Sequence, residues 1–182
     1  MTDFYQRVSD EQDALKKLVA KIPGFSGYVE RADRRSADKL LRETVASHFE
    51  NLWQQISELQ RSFIAEGNIE VIDDLEAAAI KLRQFIDRIK NAGYGYAGFF
   101  DAIKVKGEEL AAIYNYDLQF LDLENEVMRG IENIQSSIGT DGLPAAIRNL
   151  ATLSQQCVDA FQKREEVILS LQGEVVDDDS SK

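Results

Sequence analysis

A chain of 182 residues with 44% hydrophobic and 29% charged residues can bury a sizeable core and falls outside the composition of disordered proteins. Its net charge of −11 speaks against a nucleic-acid binder and against attraction to anionic lipid surfaces. A lone cysteine, Cys157, excludes an intrachain disulfide. No run approaches the roughly 18 apolar residues of a membrane span, and Met1–Arg7 holds no apolar core of signal-peptide length. The expectation is a cytoplasmic protein with no stable membrane insertion.

In chain order, Ser9 followed three residues later by Gln12 forms a capping box, with Asp10 and Glu11 in the first turn where the helix dipole favours them. Val8, Leu15, Leu18, Val19 and Ile22 supply an apolar face, and Pro23-Gly24 ends this first helix. A second, much longer helix is expected from Val29 to Glu66. Its Leu41, Val45, Phe49, Leu52, Ile56, Leu59 and Phe63 recur at three- and four-residue spacing, close to a coiled-coil heptad seam. At 1.5 Å per residue it would span on the order of 55 Å. Gly67-Asn68 terminates it, and Asn68 is the expected N-cap of a third helix running to Ala92. The seam of that helix is Ile72, Leu75, Ala79, Leu82, Ile86 and Ile89. So short a connection makes the two helices antiparallel neighbours, with Phe49 near the level of Ile86.

The stretch Gly93–Val105, GYGYAGFFDAIKV, is too aromatic for a solvated loop and too rich in glycine for a helix interior. It is expected to cap one end of the bundle beside the basic run Arg31–Arg42. A fourth helix follows from Lys106 to Ile138, with the seam Leu110, Ile113, Asp117, Phe120, Glu124, Val127, Ile131, Ile134 and Ile138. Two acids interrupt that seam one heptad apart. After the turn Gly139–Gly142, Pro144 suits the first turn of a fifth helix, expected to reach Gln172. Its seam includes Ile147, Leu150, Ser154, Cys157, Phe161, Arg164, Ile168 and Leu171, so here a cation interrupts the apolar series. Residues 173–182, with Asp177-Asp178-Asp179, read as an acidic, disordered tail beyond a single domain over 1–172.

The basic run holds Arg31, Arg34, Arg35, Lys39 and Arg42, interleaved with Glu30, Asp33, Asp38 and Glu43. Its simplest reading is a solvated helix face with pairs such as Asp38–Arg42. The sharper reading is an anion site in which Arg31, Arg34 and Arg35, with Tyr28, Tyr94 and Tyr96, bind a carboxylate or phosphate. GYGYAG lacks the preceding strand and the following lysine of a phosphate loop. The single histidine, His48, cannot supply the two Glu-x-x-His motifs of a ferritin-like metal site, so no metal or other cofactor is expected. Asp117 and Glu124 stand about 10 Å apart along a helix, wider than a glycosidase pair.

A charge on a seam needs a partner. Folding the last hairpin about Gly142 sets Arg164 within one turn of Asp117, which predicts a structural ion pair between them. Arg34 or Arg35 is the rival cation and Glu124 the rival acid.

The blocks IPGFSGYVERADRRSADKLLRE (Ile22–Glu43) and GYGYAGFFDAIKV resemble those of an uncharacterised group of bacterial all-helical proteins. That group carries Pro-Gly-x-x-Gly-Tyr, Arg-Arg-x-x-Asp-Lys and Tyr-Gly-Tyr blocks. The resemblance implies that the two blocks belong together, and it implies no activity. The reading is therefore an all-α, elongated antiparallel bundle of two long helical hairpins plus a short N-terminal helix. Its expected role is non-catalytic, as a scaffold or adaptor contacting a protein partner or a second copy. The alternative is a sensor that binds a small anion at the arginine- and tyrosine-bearing end.

Overall fold

Glycine decides where the first long hairpin turns. The chain, seen in a computed structural model that describes residues 13–30, 34–92 and 107–179, leaves a 33-residue helix at Glu66 and enters Gly67 at φ +80°. There the Asn68 N–H donates to Phe63 O at 2.8 Å and the Gly67 N–H donates to Ile64 O at 3.2 Å. These two bonds satisfy carbonyls that the helix end would otherwise orphan, and the left-handed residue between them suits only glycine well.

Among the described residues every element is helical and no strand occurs. Helix α1 covers residues 13–21, α2 Phe25–Glu30, α3 Arg34–Glu66, α4 Ile72–Asn91, α5 Gly107–Ser137 and α6 Leu143–Asp179. The all-α bundle of two long hairpins read from the sequence is present as α3–α4 and α5–α6. In cross-section α3 packs on α4, α4 on α6, α6 on α5, and α5 more briefly on α3, so α3 lies diagonally opposite α6. The shortfall between α3 and α5 is made up by the N-terminal helices. Phe25 of α2 sets its ring edge-on to Tyr114 of α5 at 6.4 Å, Lys21 of α1 bonds Asp122 of α5, and Leu18 and Ile22 are fully buried.

The seams account for the core. Leu41 to Phe63 of α3, Leu75 to Ile89 of α4, Val127 to Ile134 of α5 and Ile147 to Ile168 of α6 belong to one buried cluster. At its centre each long helix contributes one phenylalanine. Phe85 meets Phe49 at 4.7 Å, Phe120 at 5.4 Å and Phe161 at 6.3 Å between ring centroids. Where α5 meets α6, Gly130 allows close approach: a Cβ there would stand 3.2 Å from a Leu153 methyl and 3.3 Å from a Leu150 methyl.

Four expectations are corrected. Val29 does not begin the second helix: it lies within α2, Phe25–Glu30, and the long element is α3, Arg34–Glu66. Buried Phe25 anchors α2 immediately after Gly24, whose φ of +83° turns the chain. Asn68 holds the N-cap position of a 3-10 turn, Ile69–Val71, that precedes α4, but its side chain makes no capping bond and its amide donates back to Glu66 Oε2 at 3.5 Å. The last helix passes Gln172 and stays helical to Asp179. A single glycine at 173 costs about 1 kcal/mol in a helix, and no proline follows to stop it. Finally, Ile138 falls outside the seam at 40% exposed, since α5 already ends at Ser137 and the chain turns there.

Candidate functional site

One helical turn beyond the phenylalanine layer lies a layer of charge. Residue 117 is one turn before Phe120, and residue 164 one turn after Phe161. In an antiparallel pair both steps lead toward the same end of the bundle. Arg164 of α6 is fully buried. Its Nε donates to Asp117 Oδ1 of α5 at 2.7 Å, and its Nη2 reaches across the diagonal to donate to Asp38 Oδ1 of α3 at 2.7 Å. The other oxygen of Asp38 accepts from Arg42 Nε at 2.8 Å. Arg42 in turn directs Nη1 to the Ile89 and Lys90 carbonyls at 3.3 and 3.4 Å, near the C-terminal end of α4, where a cation opposes the helix dipole. Among the described residues, all four long helices thus supply a group to one polar layer that holds two arginines and two aspartates.

Asp117 and Arg164, two of the three charges that interrupt the seams, therefore meet. The rival acid Glu124 instead turns to α3, where Oε2 lies 2.9 Å from His48 Nδ1. Asp38 is the partner that periodicity did not indicate. The Asp38–Arg42 pair does form along one helix, but both side chains are about nine-tenths buried, so this part of the basic run is no solvated face. The fading apolar pattern at the start of α3 concealed it, because here the side chains that face the core are ionic.

Burial pushes the Asp117 carboxyl up from its ordinary 3.8 to about 6 against the opposing pull of Arg164; Asp38 adds to the rise and Arg42 subtracts from it. Burial works the other way on Arg164, but the Asp117 and Asp38 carboxylates outweigh it and hold the guanidinium above its ordinary range. The linkage has a definite sign. A carboxyl whose folded value is raised contributes stability that is fully present below 3.8 and lost as pH rises through about 6. Taking the wild type from pH 7 to pH 4.5 should therefore improve its stability relative to Asp117→Asn by about 2 kcal/mol. Urea denaturation of both proteins at the two pH values measures this. A relative loss for the wild type would mean that Arg164 outweighs burial.

The proposed anion residues fall mostly outside the described set. Arg31, Tyr94 and Tyr96 lie beyond it, as do the side chains of Tyr28 and Arg34, and the expected contact of Gly93–Val105 with the basic run falls there too. Arg35 is exposed, and Arg42 is engaged by Asp38 and the α4 carbonyls. Cys157 is a buried core residue whose thiol burial pushes up to about 12. Among the described residues no three His, Cys, Asp or Glu side chains are grouped to hold a metal ion, and no helix is long and apolar enough to cross a membrane.

A second feature lies on the outside of the first hairpin. Trp53 of α3 is half-buried, with the Arg83 guanidinium 5.6 Å from its ring centroid. Beside it runs a groove of about 680 Å³ lined by Trp53, Ala79, Ile80, Arg83, Asp87 and Arg88. A second hollow of about 620 Å³ continues toward the turn past Trp53, Ile64 and Ile72. Ile64, Ile69 and Ile80 are each more than half exposed. The outer hollow of the second hairpin is polar instead, lined by Gln119, Asp122, Glu126, Gln156, Asp159 and Lys163 among others.

Charge divides the same way. Helices α3 and α4 together carry nine basic and nine acidic residues, whereas Gly107–Asp179 carries four basic and fifteen acidic ones, a difference equal to the −11 of the whole chain. Sequence periodicity passed over this face because Trp53, Ile64 and Ile80 each directly follow a seam residue. A second apolar stripe displaced by about 100° from the first was its signal.

Compared with protein-family models, with curated proteins and with solved structures, the chain matches none.

Proposed function

We propose that this chain is a non-catalytic interaction protein, a scaffold or adaptor whose docking surface is the outer face of α3 and α4. The observation that carries the reading is a coincidence on one face: exposed Ile64 and Ile80 beside Trp53 lie on the hairpin whose charges balance, in a chain of net charge −11. Contiguous exposed apolar surface marks association sites more often than isolated apolar residues do. Aromatic and arginine side chains such as Trp53 and Arg83 are the types that anchor interfaces. The most strongly ionic group, the layer around Arg164, supports the same reading. Its four charged side chains are spent on each other and on α4 carbonyls inside the core, where they hold the fold.

The test is a photo-reactive residue placed at position 80, with a control at exposed position 149 on α6, in cells that make the protein. Irradiation should link position 80, and not position 149, to a protein chain of defined mass. No adduct at position 80, or equal adducts at both, would overturn the reading.

A further inference from the structure

We infer that the occupant of this face is a second copy of the chain, packed α4 against α4 in antiparallel about a two-fold axis near Ile80. The inference rests on the proposed interaction surface and adds its partner.

Electrostatics selects a self-contact here and disfavours it elsewhere. Two copies meeting through α5 or α6 would press together hairpins that each hold fifteen acids against four bases. Meeting through α3 and α4 brings balanced faces together and leaves both acidic hairpins on the outside. Separation of like charge beyond the ~8 Å screening length makes that arrangement less repulsive than contact through the acidic hairpins.

Helix α4 is also polar along its length. Asp73, Asp74 and Glu76 precede Ile80, while Lys81, Arg83, Arg88 and Lys90 follow it. The one acid in the second half, Asp87, is already paired with Arg83 at 3.2 Å. A two-fold axis across the helix reverses the second copy, so each acidic half faces a basic half and the helix dipoles oppose. Glu76 of one copy then approaches Arg83 of the other. A head-to-tail parallel contact would instead set acid on acid and base on base.

Shape agrees. A two-fold interface needs a projection and a hollow on the same surface. Ile80 stands 59% exposed beside the groove that Trp53 and Ala79 floor. Helix α4 is about 30 Å long and a helix pair about 20 Å wide, giving on the order of 600 Å² per copy. The resulting total of about 1,200 Å² sits at the lower edge of specific interfaces.

The experiment is light scattering and sedimentation of the purified chain from low to high micromolar concentration. The mass should rise from 20.5 kDa toward twice that value. Ile80→Glu should raise the dissociation constant at least about tenfold. Glu76→Arg and Arg83→Glu should each weaken the dimer, and the two together should restore it, because the swap re-creates the complementary pair. Circular dichroism checks that these surface variants keep their helices. A mass fixed at one chain throughout, or a dimer indifferent to all three substitutions, overturns the inference. A position-80 adduct with a different protein, from a chain that stays monomeric alone, also overturns it while leaving the interaction reading intact. Absence of any adduct sinks both.

Discussion

Replacing Arg164 with leucine is expected to cost about 3–5 kcal/mol, among the largest losses available to a single substitution in this chain. The guanidinium serves two carboxylates, Asp117 at 2.7 Å and Asp38 at 2.7 Å, and its removal leaves Asp117 buried without that cation. Asp117→Leu should cost less, because Arg164 keeps Asp38 and Asp38 keeps Arg42. The double variant should recover much of the Arg164→Leu loss, since no carboxylate then remains at position 117 and leucines fill both sites. Urea denaturation of the four proteins gives a coupling energy, expected at about 1 kcal/mol or more. Strictly additive losses would mean that the contact carries no energy of its own. The Arg164→Leu defect should also shrink at acidic pH, where Asp117, already pushed up to about 6, sheds its charge more readily still.

Phe85→Ala is expected to cost about 3–5 kcal/mol by a different route. Phe85 touches the phenylalanines of all three other long helices and is fully buried. Truncation removes the ring's transfer energy and leaves a cavity bounded by four helices, which cannot collapse without moving their axes together. Phe120→Leu, on the same layer but with most of its volume kept, should cost under half as much. Equal losses at the two positions would show that the layer relaxes freely and that Phe85 is no keystone. Thermal or urea unfolding of the two variants settles the comparison.

How much of this was legible in the sequence follows from how each element is stabilised. Seams at three- and four-residue spacing located the long helices, because apolar burial dominates their energetics. The hairpin geometry then placed Asp117 beside Arg164, since a tight turn fixes levels on both helices. Phe85 was passed over for a related reason: a stripe one residue wide was read where the buried face of α4 also takes in Ala78 and Phe85. Asp38 and Arg42 were read as solvated because charge is usually outside. Only the diagonal neighbour α6, remote in sequence, reveals that they face inward. The α3–α4 outer face was missed because exposed isoleucines carry no local signal of their own; their meaning depends on the charge of the opposite hairpin. The α2 segment is short and held by tertiary packing, Phe25 on Tyr114 and the helix against α3, which no local pattern encodes.

The charged layer also restricts how the two hairpins can slide. Apolar seams of similar volume tolerate a shift by one turn, about 5.4 Å, because leucine and isoleucine replace one another at each level. Arg164 stands one turn from Phe161. Displacing α6 by that amount in one direction would carry the guanidinium among the phenylalanine rings and away from both Asp117 and Asp38. Asp38 binds Arg42 on its own hairpin through one oxygen and Arg164 on the other hairpin through the second. It therefore acts as an index pin: the two hairpins mate at one axial setting, and every neighbouring setting strands a buried charge.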